Sequence, residues 1–249
     1  IEQNWIHDVR IGIAGMGGNC VPNENGPCTV SSFLSTLAVA ERYMAKNITV
    51  QNNVLYAIGE NAIEPRGWRE AKIFHNTIFG SGGSSWSSAF RFGGAGWEFD
   101  DPLATTYCKS HFCKPCQLAS SYPVELADCR KIWVTSSDVE LKNNIAVVAA
   151  HQIVTALDVN GLTATHNIYS STTLPLTFLL ADDVGSVPTK TFSLAGFPFE
   201  KESFAVDPGL FAPDAGNFSL TEDAFARDRG APVGVECDFA GNVRCDGPD

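Results

Sequence analysis

Asparagine recurs in this chain inside a fixed apolar frame, and that frame narrows the folds open to it. The residues are Asn4, Asn53, Asn76, Asn144 and Asn167. Three positions before them stand Ile1, Val50, Ile73, Leu141 and Ala164, and two positions after stand Ile6, Leu55, Ile78, Ala146 and Tyr169. Asn53 and Asn76 lie 23 residues apart, as do Asn144 and Asn167. The interval of 68 from Asn76 to Asn144 is one short of three such periods, and the 49 from Asn4 to Asn53 is three more than two. A fixed period in this range marks a solenoid.

The runs ahead of each Asn are short and strand-like: Ile48-Thr49-Val50, Lys72-Ile73-Phe74 and Val139-Glu140-Leu141. Side chains alternate across a strand, so Ile48 and Val50 share a face, as do Val139 and Leu141. Each run then meets Asn, which tolerates left-handed backbone and makes tight turns, and a second apolar stretch follows. Strand, turn and strand within 23 residues leave no room for a βαβ unit. They fit one coil of a parallel β-helix, each coil hydrogen-bonded to the next. Stacked Asn side chains then form an amide ladder along the axis. The competing reading is a β-sandwich with five ordinary strand-ending turns, against which the equal spacings and the two apolar columns argue.

Ile1-Glu2-Gln3-Asn4-Trp5-Ile6-His7, Ile48 to Leu55, Lys72 to Ile78 and Val139 to Ile145 resemble the repeats of secreted right-handed parallel β-helix proteins of the pectate-lyase-like superfamily. Phe218 to Ala224, Asp228-Arg229-Gly230, Cys237 to Arg244 and Gly247-Pro248-Asp249 resemble the closing segment of a surface-anchored group of such proteins. The resemblance implies an all-β, right-handed parallel β-helix, a single-stranded solenoid of about 23 residues per coil. It says little about activity, because such folds host lyases, hydrolases, epimerases, adhesins and structural proteins. In the surface group the ending runs a few residues further, through an Ile-Gly-Ala-aromatic-acid motif. This chain stops before it, and Ile1 falls inside a repeat. The expectation is a piece of a longer chain or a processed product, with a missing capping segment or end-to-end self-association at bare end coils.

A net charge of −11 argues against nucleic acid and anionic membranes as partners. No apolar run has the length of a membrane span. Eight cysteines stand at Cys20, Cys28, Cys108, Cys113, Cys116, Cys129, Cys237 and Cys245, clustered as two, four and two. An even count of this kind reads as disulfides in a secreted protein. Cys20–Cys28 and Cys237–Cys245 are expected as local bridges, and the central four allow three pairings. Cys108-x4-Cys113-x2-Cys116 matches a plant-type ferredoxin spacing, but Cys129 follows only thirteen residues later. Iron–sulfur and zinc are therefore set behind disulfides, and no metal or cofactor is expected beyond calcium. The sequons at Asn47 and Asn217 fit secretion and offer glycosylation sites.

Residues 1–184 are expected to form the solenoid, with cysteine-rich insertions at 19–30 and 100–131. Residues 31–46 read equally as a helical face or an irregular coil. From Val187 onward prolines multiply, so 185–249 is expected as an irregular segment packed on the solenoid.

Chemistry-bearing residues are sparse. Gly12 to Gly18 lacks the spacing and the following helix of a dinucleotide loop. Glu98, Asp100 and Asp101, with Glu125 and Asp128 beyond, offer carboxylates for acid–base work or calcium, or simply begin a loop before Pro102. Arg66, Arg69, Lys72 and His75 accompany Trp68, which is the charge and stacking face an acidic sugar requires; a solvated strand edge is the plainer account. His7, His75 and His166 fall near equivalent repeat positions, which favours a structural stack. A sugar site is therefore expected at Trp68, Arg69, Trp86, Trp97, Glu98, Asp100 and Asp101. Two functions compete: an extracellular structural, adhesive or glycan-binding module at a cell surface or in a matrix, or a lyase or glycoside hydrolase acting on an extracellular, uronic-acid-type polysaccharide.

Overall fold

The computed structural model describes residues 1–16, 45–81, 87–93, 136–149, 152–157, 159–172, 175–181, 190–234 and 237–240. The expected insertions at 19–30 and 100–131 lie outside them. The described chain is nearly all β and contains no α-helix.

Strands follow the chain coil by coil. Trp5–His7 (β1) and Ile13–Met16 (β2) are followed by Ala45–Lys46 (β3), Thr49–Gln51 (β4), Val54–Tyr56 (β5) and Ile63–Arg66 (β6). The next coil contributes Trp68–Phe74 (β7), Thr77–Ser81 (β8) and Ser88–Phe92 (β9). Ser136–Lys142 (β10), Ile145–Val148 (β11) and Gln152–Leu157 (β12) repeat the pattern, as do Val159–Thr165 (β13), Ile168–Ser171 (β14) and Thr177–Ala181 (β15). Lys190–Phe192 (β16), Glu200–Lys201 (β17), Phe204–Ala205 (β18), Leu210–Ala212 (β19) and Asn217–Leu220 (β20) complete the set.

Three sheets result, and each coil gives one strand to each in turn. The first sheet runs β17, β13, β10, β7 with β3 and β4 both beside β7; the second runs β1, β5, β8, β11, β14, β18; the third runs β16, β15, β12, β9, β6, β2. All these pairings are parallel except β15 with β16. The architecture is an all-β stack of parallel strands, solenoid-like in its order. Its first and second sheets continue through β17 and β18, past residue 184 where the sequence periodicity fails.

Register explains the core. Val50 pairs with Ile73, Ile73 with Leu141 and Leu141 with Ala164. Leu55 pairs with Ile78, Ile78 with Ala146 and Ala146 with Tyr169. All of these are fully buried. Both apolar columns therefore point inward, with Ile63, Phe90, Val154 and Phe178 of the third sheet closing the interior. Each such side chain contributes roughly 1.5–3 kcal/mol by leaving water, and a one-residue slip would turn a whole column outward.

Corners are made by left-handed residues, and these are not the ladder asparagines. Positive φ falls on Gln3, Asn52, His75, Asn143, His166 and Glu202, each one position before a ladder position. A second column comprises Asn47, Glu70, Asp138 and Gly161, and a third Asp8, Ala57 and Gly80. The turn expected at Asn is thus made by its predecessor, leaving the Asn side chain free to bond along the stack.

Beyond Ala205 the chain climbs back over the outer face of the second sheet. Phe218, from the antiparallel hairpin of β19 and β20, packs on Trp5, Tyr56 and Phe79 at centroid distances of 5.7, 5.4 and 6.0 Å. Two corner residues pin it. Asn52 donates to the Cys237 carbonyl at 2.8 Å, and Asn143 donates to the Ala231 carbonyl at 2.7 Å while accepting from the Ala231 N–H at 2.8 Å. No helix of the described residues is long and apolar enough to cross a membrane.

Candidate functional site

The ladder is built rung by rung. Backbone N–H and Nδ2 of each Asn donate to Oδ1 of the next: Asn4 to Asn53, Asn53 to Asn76, Asn76 to Asn144 and Asn144 to Asn167, all between 2.8 and 3.1 Å. The second Nδ2 proton serves main-chain carbonyls, as Asn76 does with Phe74 at 3.1 Å and Val50 at 3.0 Å. Backbone bonds run the opposite way, from Thr77 N–H to the Asn53 carbonyl and from Ile145 N–H to that of Asn76. Asn53, Asn76, Asn144 and Asn167 are buried, whereas Asn4, the end rung, is exposed.

A sixth rung carries no asparagine. Asn167 N–H donates to Ser203 Oγ at 3.0 Å, and Ser203 Oγ donates to Glu200 Oε2 at 2.6 Å. Glu200 pairs with Ala164 and so occupies the column held elsewhere by Val50, Ile73 and Leu141. The phenol of fully buried Tyr169 donates to its Oε1. Burial raises the Glu200 carboxyl above the usual carboxylate range, against hydrogen bonds from Ser203, Tyr169 and Asn167 that pull it down. Burial, with the neighbouring Glu200 charge, holds Tyr169 well above the usual phenol range. The rung departs from the sequence repeat, because Ser203 replaces Asn and Glu200 replaces the apolar residue.

Two polar features remain outside the ladder. On the outer face of the third sheet Glu64, only 1% exposed, accepts from Arg66 Nε at 2.7 Å and from Asn61 Nδ2 at 3.0 Å, with Arg91 Nε at 3.7 Å. Between the second sheet and the C-terminal segment lies a cleft of about 510 Å³. Trp5, Phe218 and Phe239 form its aromatic wall; His75, Arg227 and Asp238 line it with the uncharged Thr77, Asn143, Ser219 and the sequon residue Asn217.

Of the residues expected at a sugar site, only Trp68 and Arg69 fall among the described residues. Trp68 is 2% exposed and belongs to the core, so its ring is closed to a sugar: the apolar stem that begins β7 points inward. Arg69 lies beside the corner residue Glu70, Nε to Oε1 3.6 Å, and Glu70 also meets Lys46 at 3.2 Å. Arg66 turns to Glu64 on the third sheet, Lys72 lies exposed on the first, and His75 sits at the corner before the ladder. Trp86, Trp97, Glu98, Asp100, Asp101, Glu125 and Asp128 lie outside the described residues. So do all the cysteines except Cys237.

His75 and His166 share a corner column, where His75 Nε2 meets Asn143 Nδ2 at 3.1 Å and His166 Nε2 lies 3.5 Å from Glu202 Oε2. His7 does not join them; it stacks on Tyr56 at 4.7 Å on the second sheet. Both sequon asparagines are exposed. Among the described residues, no three His, Cys, Asp or Glu gather as a metal site.

Set against known proteins, the chain matches no described family, no curated protein and no solved structure.

Proposed function

We propose that this chain is a right-handed parallel β-helix module of the pectate-lyase-like type, secreted and working at a cell surface or in a matrix as a structural, adhesive or glycan-binding element. The observation that carries this reading is the hydrogen-bonded ladder from Asn4 to Ser203. Among the described residues, the ladder asparagines and the corner residue His75 are engaged in hydrogen bonds that hold coils together. A continuous polar spine of this kind resists axial shear, which suits a load-bearing or display rod. The plated outer face of the second sheet adds a second layer to the same rod.

An enzyme acting on acidic polysaccharide is the second reading, and Glu64 favours it. A buried carboxylate flanked by Arg66 and Arg91 combines an acid–base group with cations suited to a uronate. One screen separates the two: incubation with uronic-acid polysaccharides, with and without calcium, alongside a glycan-binding array. The module reading expects binding without depolymerisation. Shortened polymer that depends on Glu64 would replace it with the enzyme reading.

A further inference from the structure

We propose, resting on the glycan-binding reading, that the cleft between the second sheet and the C-terminal segment is the carbohydrate site, and that it takes a neutral, hydroxyl-rich sugar ring. Its volume of about 510 Å³ lies within the range of small-molecule sites. Trp5 supplies the platform. Tyr56, Phe218 and Phe239 approach it in edge contacts at 6.0, 5.7 and 5.7 Å, which fix the ring. Trp5, on the edge strand β1, remains 46% exposed. Gly216 lies across from it: a Cβ there would stand 3.9 Å from Trp5 Cζ2, so any larger side chain would begin to cover the indole. The same residue has φ 77°, which favours glycine independently.

The polar groups choose the class of sugar. Arg227 Nε donates to the Thr221 carbonyl at 2.8 Å, which sets the plane of its guanidinium. Asp238 lines the same cleft. Among the described lining residues one formal cation and one anion cancel, so they offer a polyanion no surplus of positive charge, and the net charge of −11 repels it. Sugar hydroxyls both donate and accept, and this pair supplies one acceptor and one donor beside a stacking face. A neutral ring satisfies all three; a uronate leaves its carboxylate facing Asp238.

The test titrates the full chain with neutral oligosaccharides and, separately, with oligogalacturonate, following tryptophan fluorescence and calorimetric heat. Neutral probes are expected to bind, and Trp5→Ala and Arg227→Ala to weaken them by tenfold or more. Phe211→Ala removes a ring 67% exposed that does not line the cleft and is expected to leave affinity unchanged. Trp5→Phe keeps the aromatic packing, so a loss there with an unchanged melting temperature separates stacking from folding. Undiminished affinity in both Trp5→Ala and Arg227→Ala would overturn the site and leave the glycan-binding reading standing. Preference for oligogalacturonate would overturn the ligand class. Binding of no probe would overturn the site and the glycan-binding part of the reading together.

Discussion

Each ladder asparagine serves two neighbours with one amide. Its Oδ1 takes two donors from the coil before, and its Nδ2 reaches the coil after, so the side chains polarise one another along the axis. Removing an inner rung strands groups on both sides. Asn76→Ala leaves Asn53 N–H and Nδ2 without their acceptor in a buried setting, and each stranded group costs about 1–3 kcal/mol. Denaturant unfolding is expected to show a loss of about 2 kcal/mol or more for Asn76→Ala, and under about 1 kcal/mol for Asn4→Ala at the exposed end. Equal losses would mean that the ladder adds nothing beyond local turn chemistry. Asn could be read from the sequence because only an amide fits both roles at every rung. Ser203 could not, because its rung works through Glu200 and not through an amide.

Glu200 also sets a pH dependence at this scale. Its folded pKa is raised, chiefly by burial, so the folded state holds the proton more tightly than the unfolded one. The stabilisation is fully present below the unfolded carboxylate pKa and is lost as pH rises through the folded value. Glu200→Gln cannot ionise and loses this slope. Unfolding free energies measured from acid to neutral pH are expected to shift steadily in favour of the variant as pH rises. A flat difference would show that the three hydrogen bonds balance burial, and one that moves toward the wild type would show that they outweigh it.

At the scale of elements, the corners set the period and the strands fill it. The column of Asn47, Glu70, Asp138 and Gly161 bends the first sheet at one level in successive coils. Left-handed backbone costs a residue with a Cβ roughly 1–2 kcal/mol, and only Gly161 avoids that. A Cβ at Gly161 would also stand 3.2 Å from Asp138 Oδ1 and 3.3 Å from its backbone nitrogen. Gly161→Ala is therefore expected to lower stability by about 1–2 kcal/mol. Glu70→Gly relieves strain and gives up only exposed ion pairs, which are worth little, so it is expected to be neutral or mildly stabilising. Thermal melts of the two variants moving in the same direction would count against the shared corner. These columns were not legible in the sequence, because Gln, Asn, His and Glu carry no common signal for φ. The strands of the first sheet were, because β10 and β13 alternate buried with less buried residues as they approach the ladder. The position just after each Asn reads Trp5, Val54, Thr77, Ile145 and Ile168, apolar in every repeat but one, and two adjacent apolar columns mean a sheet covered on both faces.

That covering is what joins the elements into a molecule. The second sheet buries one face in the interior and the other beneath the C-terminal segment, so the segment is a wall of the fold and of the cleft alike. Trp68, expected at a sugar site, is itself buried: aromatic residues mark a binding face only when the chain does not bury them, and burial is decided by which segments return to which sheet. Return paths depend on contacts far apart in sequence, such as Asn143 with Ala231 and Asn52 with Cys237. Those clasps make a testable hinge. Asn52→Gly with Asn143→Gly keeps the left-handed corners accessible while deleting the three hydrogen bonds to the segment, along with that of Asn143 to His75. At 0.5–1.5 kcal/mol each, the segment's docking is expected to weaken by about 2 kcal/mol, roughly thirtyfold in local opening. Hydrogen exchange followed by mass spectrometry is expected to show the described amides between 226 and 240 accelerating, Ala231 foremost, while the inner strands β7, β10 and β13 keep their protection. Unchanged exchange in the segment would show that aromatic packing around Phe218 holds it without the clasps. Equal acceleration in the inner strands would show that segment and solenoid unfold as one cooperative unit.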